Sequence, residues 1–227
     1  MTPLIARFAS DDRGMSAVEL AVIISVLVPV MMSGSEIDRY LRCGRHAWVA
    51  ADSFASVLSQ RATLLGGSMW TQDSDLIGTV LTEAVALYGA QWRNNIGLQA
   101  TYVRFNADKA GCEATSTCTY STATILWTWP GGNVASQNAL GGQGLLRSCA
   151  QKNMVPGGSA ATAKTLPANV FGGGNLLVVD LVYVYKPTFL SGVVGSRTIV
   201  RQAYYAPLYQ DITIDPSSKT SEVAPCT

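Results

Sequence analysis

Apolar positions change their rhythm along this chain, and each rhythm predicts a different element. From Met15 to Ser35 they are nearly continuous, and Glu19 is the only charge. Val22, Ile23, Ile24, Val26, Leu27, Val28, Val30, Met31 and Met32 would make a helix apolar all the way round. At 1.5 Å per residue such a helix matches a ~30 Å hydrocarbon core, so the run predicts a transmembrane span over 15–35. Pro29 interrupts the backbone ladder inside it, which membrane helices tolerate. A cleaved secretory signal peptide is the alternative, with "MSGS" as its cleavage region, although the run is long for that.

From Ile37 the pattern becomes periodic. Ile37, Leu41, Gly44, Trp48, Ala51, Ala55, Leu58, Ala62 and Leu65 recur every three or four residues, one stripe of an amphipathic helix. The span therefore continues as a second helical stretch over 36–66, stopped by Gly66-Gly67. A further helix, capped by Asp73 or Ser74, is predicted from Leu76, Ile77, Val80, Leu81, Ala84, Leu87 and Tyr88. The period then shortens to two. "LQATYVRF" (98–105), "STATILWTW" (121–129), "NLLVVDLVYVYKP" (175–187) and "RTIVRQAYYAPLY" (197–209) read as strands. Between the second and third lies a stretch over 130–175 rich in Gly, Ala, Ser and Asn, expected to be irregular with a short helix near "GQGLLRSCAQ". The fold class that results is α+β: a long N-terminal helix, a second helix, and an antiparallel sheet in a 67–227 domain.

Composition supports a membrane-attached chain. Of 227 residues 48% are hydrophobic and only 14% charged, against roughly 25% charged in an ordinary soluble protein. Net charge is +1 with no basic block, which argues against a nucleic-acid partner. The charges flanking the span (Arg7, Asp11, Asp12 and Arg13 before it, Arg39, Arg42 and Arg45 after it) do not set its orientation. The five cysteines make no CxxC pair and His46 is the only histidine, so no zinc or other metal site is expected. In an oxidising compartment Cys112 would pair with Cys118 across "EATST", and Cys149 with Cys226, leaving Cys43 as a thiol on the helix.

No catalytic motif is present: no GxSxG, HExxH, Walker loop or helix-opening GxGxxG. His46 reads as a surface residue of the helix, and Asp180 as an edge or outward-facing acid in a strand. The alternating Trp127, Trp129, Tyr183 and Tyr185 read as sheet packing. The expectation is a protein that is not an enzyme and needs no cofactor.

Gly14, Met15, Ser16, Ala17, Val18 and Glu19 resemble the processing signature of the type IV pilin superfamily. In that family a prepilin peptidase cuts after the glycine, and a glutamate is the fifth residue of the mature chain. The resemblance implies that residues 1–14 are a cytoplasmic leader and that Glu19 pairs with the new amine of Met15 on a neighbouring subunit. Two further stretches extend it. "EIDRYLRCGRHAWVAADSFASVL" follows the span, and "LVVDLVYVYKPTF" with "TIVRQAYYAPLY" ends the chain. Together they are similar to TadE/TadF-like proteins, minor pilin (pseudopilin) components of the Tad/Flp tight-adherence pilus. Leu20 stands where major Flp pilins usually carry an aromatic residue. The resemblance implies an inner-membrane protein with a periplasmic C-terminal domain. Its partners would be the peptidase, other pilin or pseudopilin subunits and the inner-membrane assembly platform. Two other readings remain: a secreted adhesin or lectin-like module with a cleaved signal peptide, and a periplasmic enzyme on a signal anchor.

Overall fold

The computed structural model describes residues 12–61, 63–65, 96–109, 118–131, 134–151, 153–189, 195–209, 211–215 and 224–226. The helix expected over 73–88, most of the leader and Cys112 lie outside these. The chain divides into two compact units, one from Met1–Arg42 and Lys186–Ser196, the other from Cys43–Tyr185 and Arg197–Thr227.

Helix α1, Asp12–Ser59, runs without a break through the continuous apolar stretch and into the periodic one, with Pro29 inside it. Ser25 and Ser33 turn their hydroxyls back onto the carbonyls of Val22 and Pro29, both at 2.7 Å, and Ser35 onto that of Met32 at 2.8 Å. Each hydroxyl is thus satisfied within the helix and asks nothing of its surroundings, as hydrocarbon requires.

In the second unit the C-terminal part of α1 buries Ala47, Ala50, Ala51, Phe54, Ala55 and Leu58, the i, i+3, i+4 spacing of one face. That face packs on a sheet. Its strands are β2 (Ile96–Ala107), β3 (Tyr120–Gly131), β4 (Asn153–Gly157), β5 (Thr165–Pro167), β6 (Asn175–Tyr185) and β7 (Arg197–Tyr205). The order is β5-β4-β3-β2-β6-β7, antiparallel except for the parallel pair β4–β5. Every second residue faces the helix: Leu98, Ala100 and Tyr102 on β2, Trp127 and Trp129 on β3, and Leu177, Val179, Leu181, Tyr183 and Tyr185 on β6 join one core with α1. Phe54 stacks on Trp129, ring centroids 5.9 Å apart, and Tyr102 on Trp127 at 5.6 Å. The alternating aromatics are therefore core, as the sequence predicts.

The helix stops at Ser59 and not near Leu65. The Ser59 carbonyl accepts the Leu208 N–H at 2.8 Å, and the Gln60 and Arg61 amides close the last turn onto Val57 and Leu58. Thr63–Leu65 instead forms β1, parallel to β8 (Thr213–Asp215). The Gly-rich stretch is also more ordered than its composition predicts. It holds helix α2 (Val134–Gly142), earlier than the expected "GQGLLRSCAQ", then β4, β5 and a 3-10 turn at Ala168–Val170. These cover the second face of the sheet: Leu140 and Leu145 pack on Val182, and Met154, Ala161 and Leu166 on Val103, Ile125 and Val178. Gly157 is required there, because a Cβ would lie 2.6 Å from that of Thr165 on the neighbouring strand. Cys149 and Cys226 form a disulfide that closes a 77-residue separation, and β9 (Ala224–Pro225) pairs with β3 beside it.

Candidate functional site

Two places in the described residues concentrate chemistry: the apolar stem with its acid, and a buried polar cluster under the Gly-rich stretch. The stem comes first because its surface is the larger anomaly. Val18, Leu20, Val22, Ile23, Ile24, Val26, Leu27, Val28, Val30, Met31 and Met32 are all exposed, most of them above half. A folded chain in water scatters such residues singly and does not line them along one helix. By length and composition the helix is able to cross a membrane. Gly14 and Met15 lie in its first turn. Glu19 lies one turn further on and is exposed, with Val22 and Ile23 on its own face at i+3 and i+4. Among the described residues it has no ion-pair partner. A carboxylate within such a surface is costly in hydrocarbon unless a cation meets it, and the lower the local dielectric the stronger that attraction.

The polar cluster is the reverse case. Asp180, in central strand β6, is completely buried, and so is Arg147, which reaches it from the segment after α2. The expectation of an edge or outward-facing Asp180 is therefore corrected: its neighbours β2 and β7 pair on both sides, and the Gly-rich segment roofs it. Arg147 Nη1 and Nη2 both donate to the Asp180 carboxylate, and Arg147 Nε donates to the Thr162 carbonyl at 3.1 Å. Gln202 Nε2 donates to Asp180 Oδ1 and to the Ala161 carbonyl, at 2.8 and 2.9 Å. Gln99 donates to the Arg147 carbonyl at 2.8 Å and accepts its amide at 3.1 Å. With the charges paired and the polar atoms bonded, the cluster clamps loop to sheet and has no open position for a substrate.

An open cleft of about 420 Å³ is lined by Arg104, Gly173, Gly174, Asn175, Ala206, Pro207 and Asp211. Asp211 Oδ1 accepts from Arg104 at 2.9 Å and from Asn175 at 3.2 Å, so its acid and base are already engaged with one another. His46 is half-buried on α1. Among the described residues no three His, Cys, Asp or Glu side chains gather into a metal-binding group. Cys118 is disulfide-bonded and Cys43 is a half-buried thiol packed against the core. The Cys149–Cys226 pairing holds as the sequence predicts.

Sequence reasoning missed one acid. Glu36 is only 5% exposed, and its two oxygens accept the N–H groups of Thr188 at 3.0 Å and Phe189 at 3.3 Å. Its position immediately after the apolar run was a signal, but its partner lies about 150 residues away in sequence. Comparison with known proteins finds no family model, no curated protein and no solved structure that matches this chain.

Proposed function

We propose that this chain is a membrane-anchored, minor pilin-like subunit, processed by a prepilin peptidase and taking part in Tad/Flp-type pilus assembly, priming or decoration. The single observation that supports it is an exposed apolar helical stretch over 18–32, carrying one acid, Glu19, a turn after Gly14 and Met15 in the first turn of α1. Cutting after Gly14 leaves Met15 with a free amine and makes Glu19 the fifth residue of the mature chain, the carboxylate proposed to meet that amine on a sibling. Two opposite charges that have only each other in a low-dielectric bundle fix axial register, because a slip of one turn leaves both bare. Apolar stems then associate side by side, the first half of α1 lies in the inner membrane before assembly, and the sheet domain faces the periplasm. An oxidising compartment fits the Cys149–Cys226 disulfide. In this reading the protein catalyses nothing, and adhesion follows from the filament.

The test is Gly14→Ala beside Glu19→Ala in cells carrying the pilus machinery. Gly14→Ala is expected to accumulate as uncut precursor, heavier by the leader, whereas Glu19→Ala is cut normally and joins the filament poorly. Normal maturation of the first, or parental incorporation of the second, would count against processing and pairing respectively.

A further inference from the structure

We propose that the stem ends in a lipid-interface collar, in which Glu36 fastens the segment after β6 to α1 so that Phe189 sits in the headgroup layer of the membrane. The inference rests on the stem being a membrane span.

Glu36 and its two amide donors all belong to one compact unit, so the fastening is internal to it. A carboxylate this buried is tolerated because two successive backbone N–H groups satisfy it, and those amides in turn need an acceptor. Arg39, one helical turn on, adds a 2.7 Å hydrogen bond from Nη1 to Thr188 Oγ1, and Pro187 is buried. The segment is thus held by hydrogen bonds at Thr188 and Phe189, and the apolar group it exposes is Phe189. Phe189 is 53% exposed, and on the helix Ile37, Leu41 and Tyr40 are 61%, 53% and 38% exposed. Arg39 and Lys186 are exposed among them.

An aromatic ring and an aliphatic side chain, Phe189 and Ile37, beside two cations directly beyond an apolar span are what a headgroup layer selects. The rings sit at the polar–apolar boundary and the cations meet anionic phosphates. The axial position agrees. Glu36 is four residues past Met32, about 6 Å along the helix axis, and the interfacial layer is roughly 5–7 Å thick on each side. Continuity with the stem and the two cations together favour lipid over water as the medium here.

The test uses the full chain with Cys43→Ser, its disulfides intact, reconstituted into vesicles of equal parts phosphatidylcholine and phosphatidylglycerol. A nitroxide is placed singly at Val26→Cys, Ile37→Cys or Phe189→Cys. Collisions with oxygen, which partitions into lipid, are compared with those of a water-soluble nickel chelate. The expected result is oxygen preference at 26 and, at 37 and 189, an oxygen-to-chelate ratio between that at 26 and that of the free label in buffer. Ile37→Cys keeps Phe189 in place and so checks the collar without altering the ring. A ratio at 189 or 37 equal to that in buffer, with oxygen preference at 26, overturns the collar and leaves the stem reading standing, whereas chelate preference at 26 overturns both. Dipolar broadening between labels at 189 would instead put a second copy of the chain there and overturn a lipid partner. Glu36→Ala, with circular dichroism checking the fold, is expected to lower the ratio at 189 to that in buffer and to leave the oxygen preference at 26. An unchanged signal at 189 overturns the role given to Glu36.

Discussion

The two ends of α1 are one helix with opposite surroundings. Between Val18 and Met32 exposed apolar side chains occupy every face, with Glu19 the one charge. Between Ala47 and Leu58 they are apolar on one face only, and that face is buried under the sheet. The backbone is equally helical in both, so helix formation alone tells nothing about what surrounds it. The difference lies in the angular spread of apolar residues, and it identifies the solvent each end requires. The C-terminal end solves its burial within the chain. The stem leaves its apolar side chains exposed, on a helix long and apolar enough to cross a membrane.

The comparison breaks most visibly at the buried Arg147–Asp180 ion pair of the sheet-bearing unit. Asp180→Ala strands the Arg147 guanidinium without its counter-charge, and the expected loss is about 3–5 kcal/mol in chemical denaturation of the sheet domain. A loss within experimental error would mean that water reaches Arg147 readily. Next in size is a matched pair of truncations. Leu58→Ala removes a completely buried side chain and is expected to cost about 2–5 kcal/mol. Leu27→Ala, half exposed on the stem, is expected to leave the same unfolding curve within about 0.5 kcal/mol. Equal effects would erase the distinction between the two ends.

The smallest expected effect is with pH. Burial raises the hydroxyl pKa of Tyr102 and of Tyr204 above the ordinary tyrosine value, and for neither do the hydrogen bonds it makes outweigh it. Protons are therefore lost from the unfolded chain before the folded one. The stabilisation is complete below the unfolded value, about pH 10, and declines as pH rises through the higher folded values. Denaturation midpoints should hold steady up to that point and then fall, and both Tyr102→Phe and Tyr204→Phe should flatten the fall. A fall beginning near neutrality would point to other groups.

Much of this was legible in the sequence because it depends on local period. The long apolar helix, its amphipathic continuation, four strands and the inward-facing Trp127, Trp129, Tyr183 and Tyr185 all follow from spacing. What was not legible depends on distant partners. Gly66-Gly67 looked like the helix stop, yet Leu208 takes the Ser59 carbonyl earlier and Thr213–Asp215 draws residues 63–65 into a strand. Asp180 looked like an edge or outward-facing acid because its charge partner stands 33 residues upstream in a stretch whose glycines suggested irregular backbone. Glu36 hid for the same reason, since nothing near it announces Thr188 and Phe189. The stem's proposed role needs one partner further still, the terminus of another copy.

That role is tested most directly by mass spectrometry of the amino terminus of protein extracted from the membrane fraction of cells that carry the machinery. The account predicts a chain beginning at Met15, with the whole apolar stem retained. A chain beginning beyond residue 33, or one still carrying Met1 in assembled filaments, would contradict it.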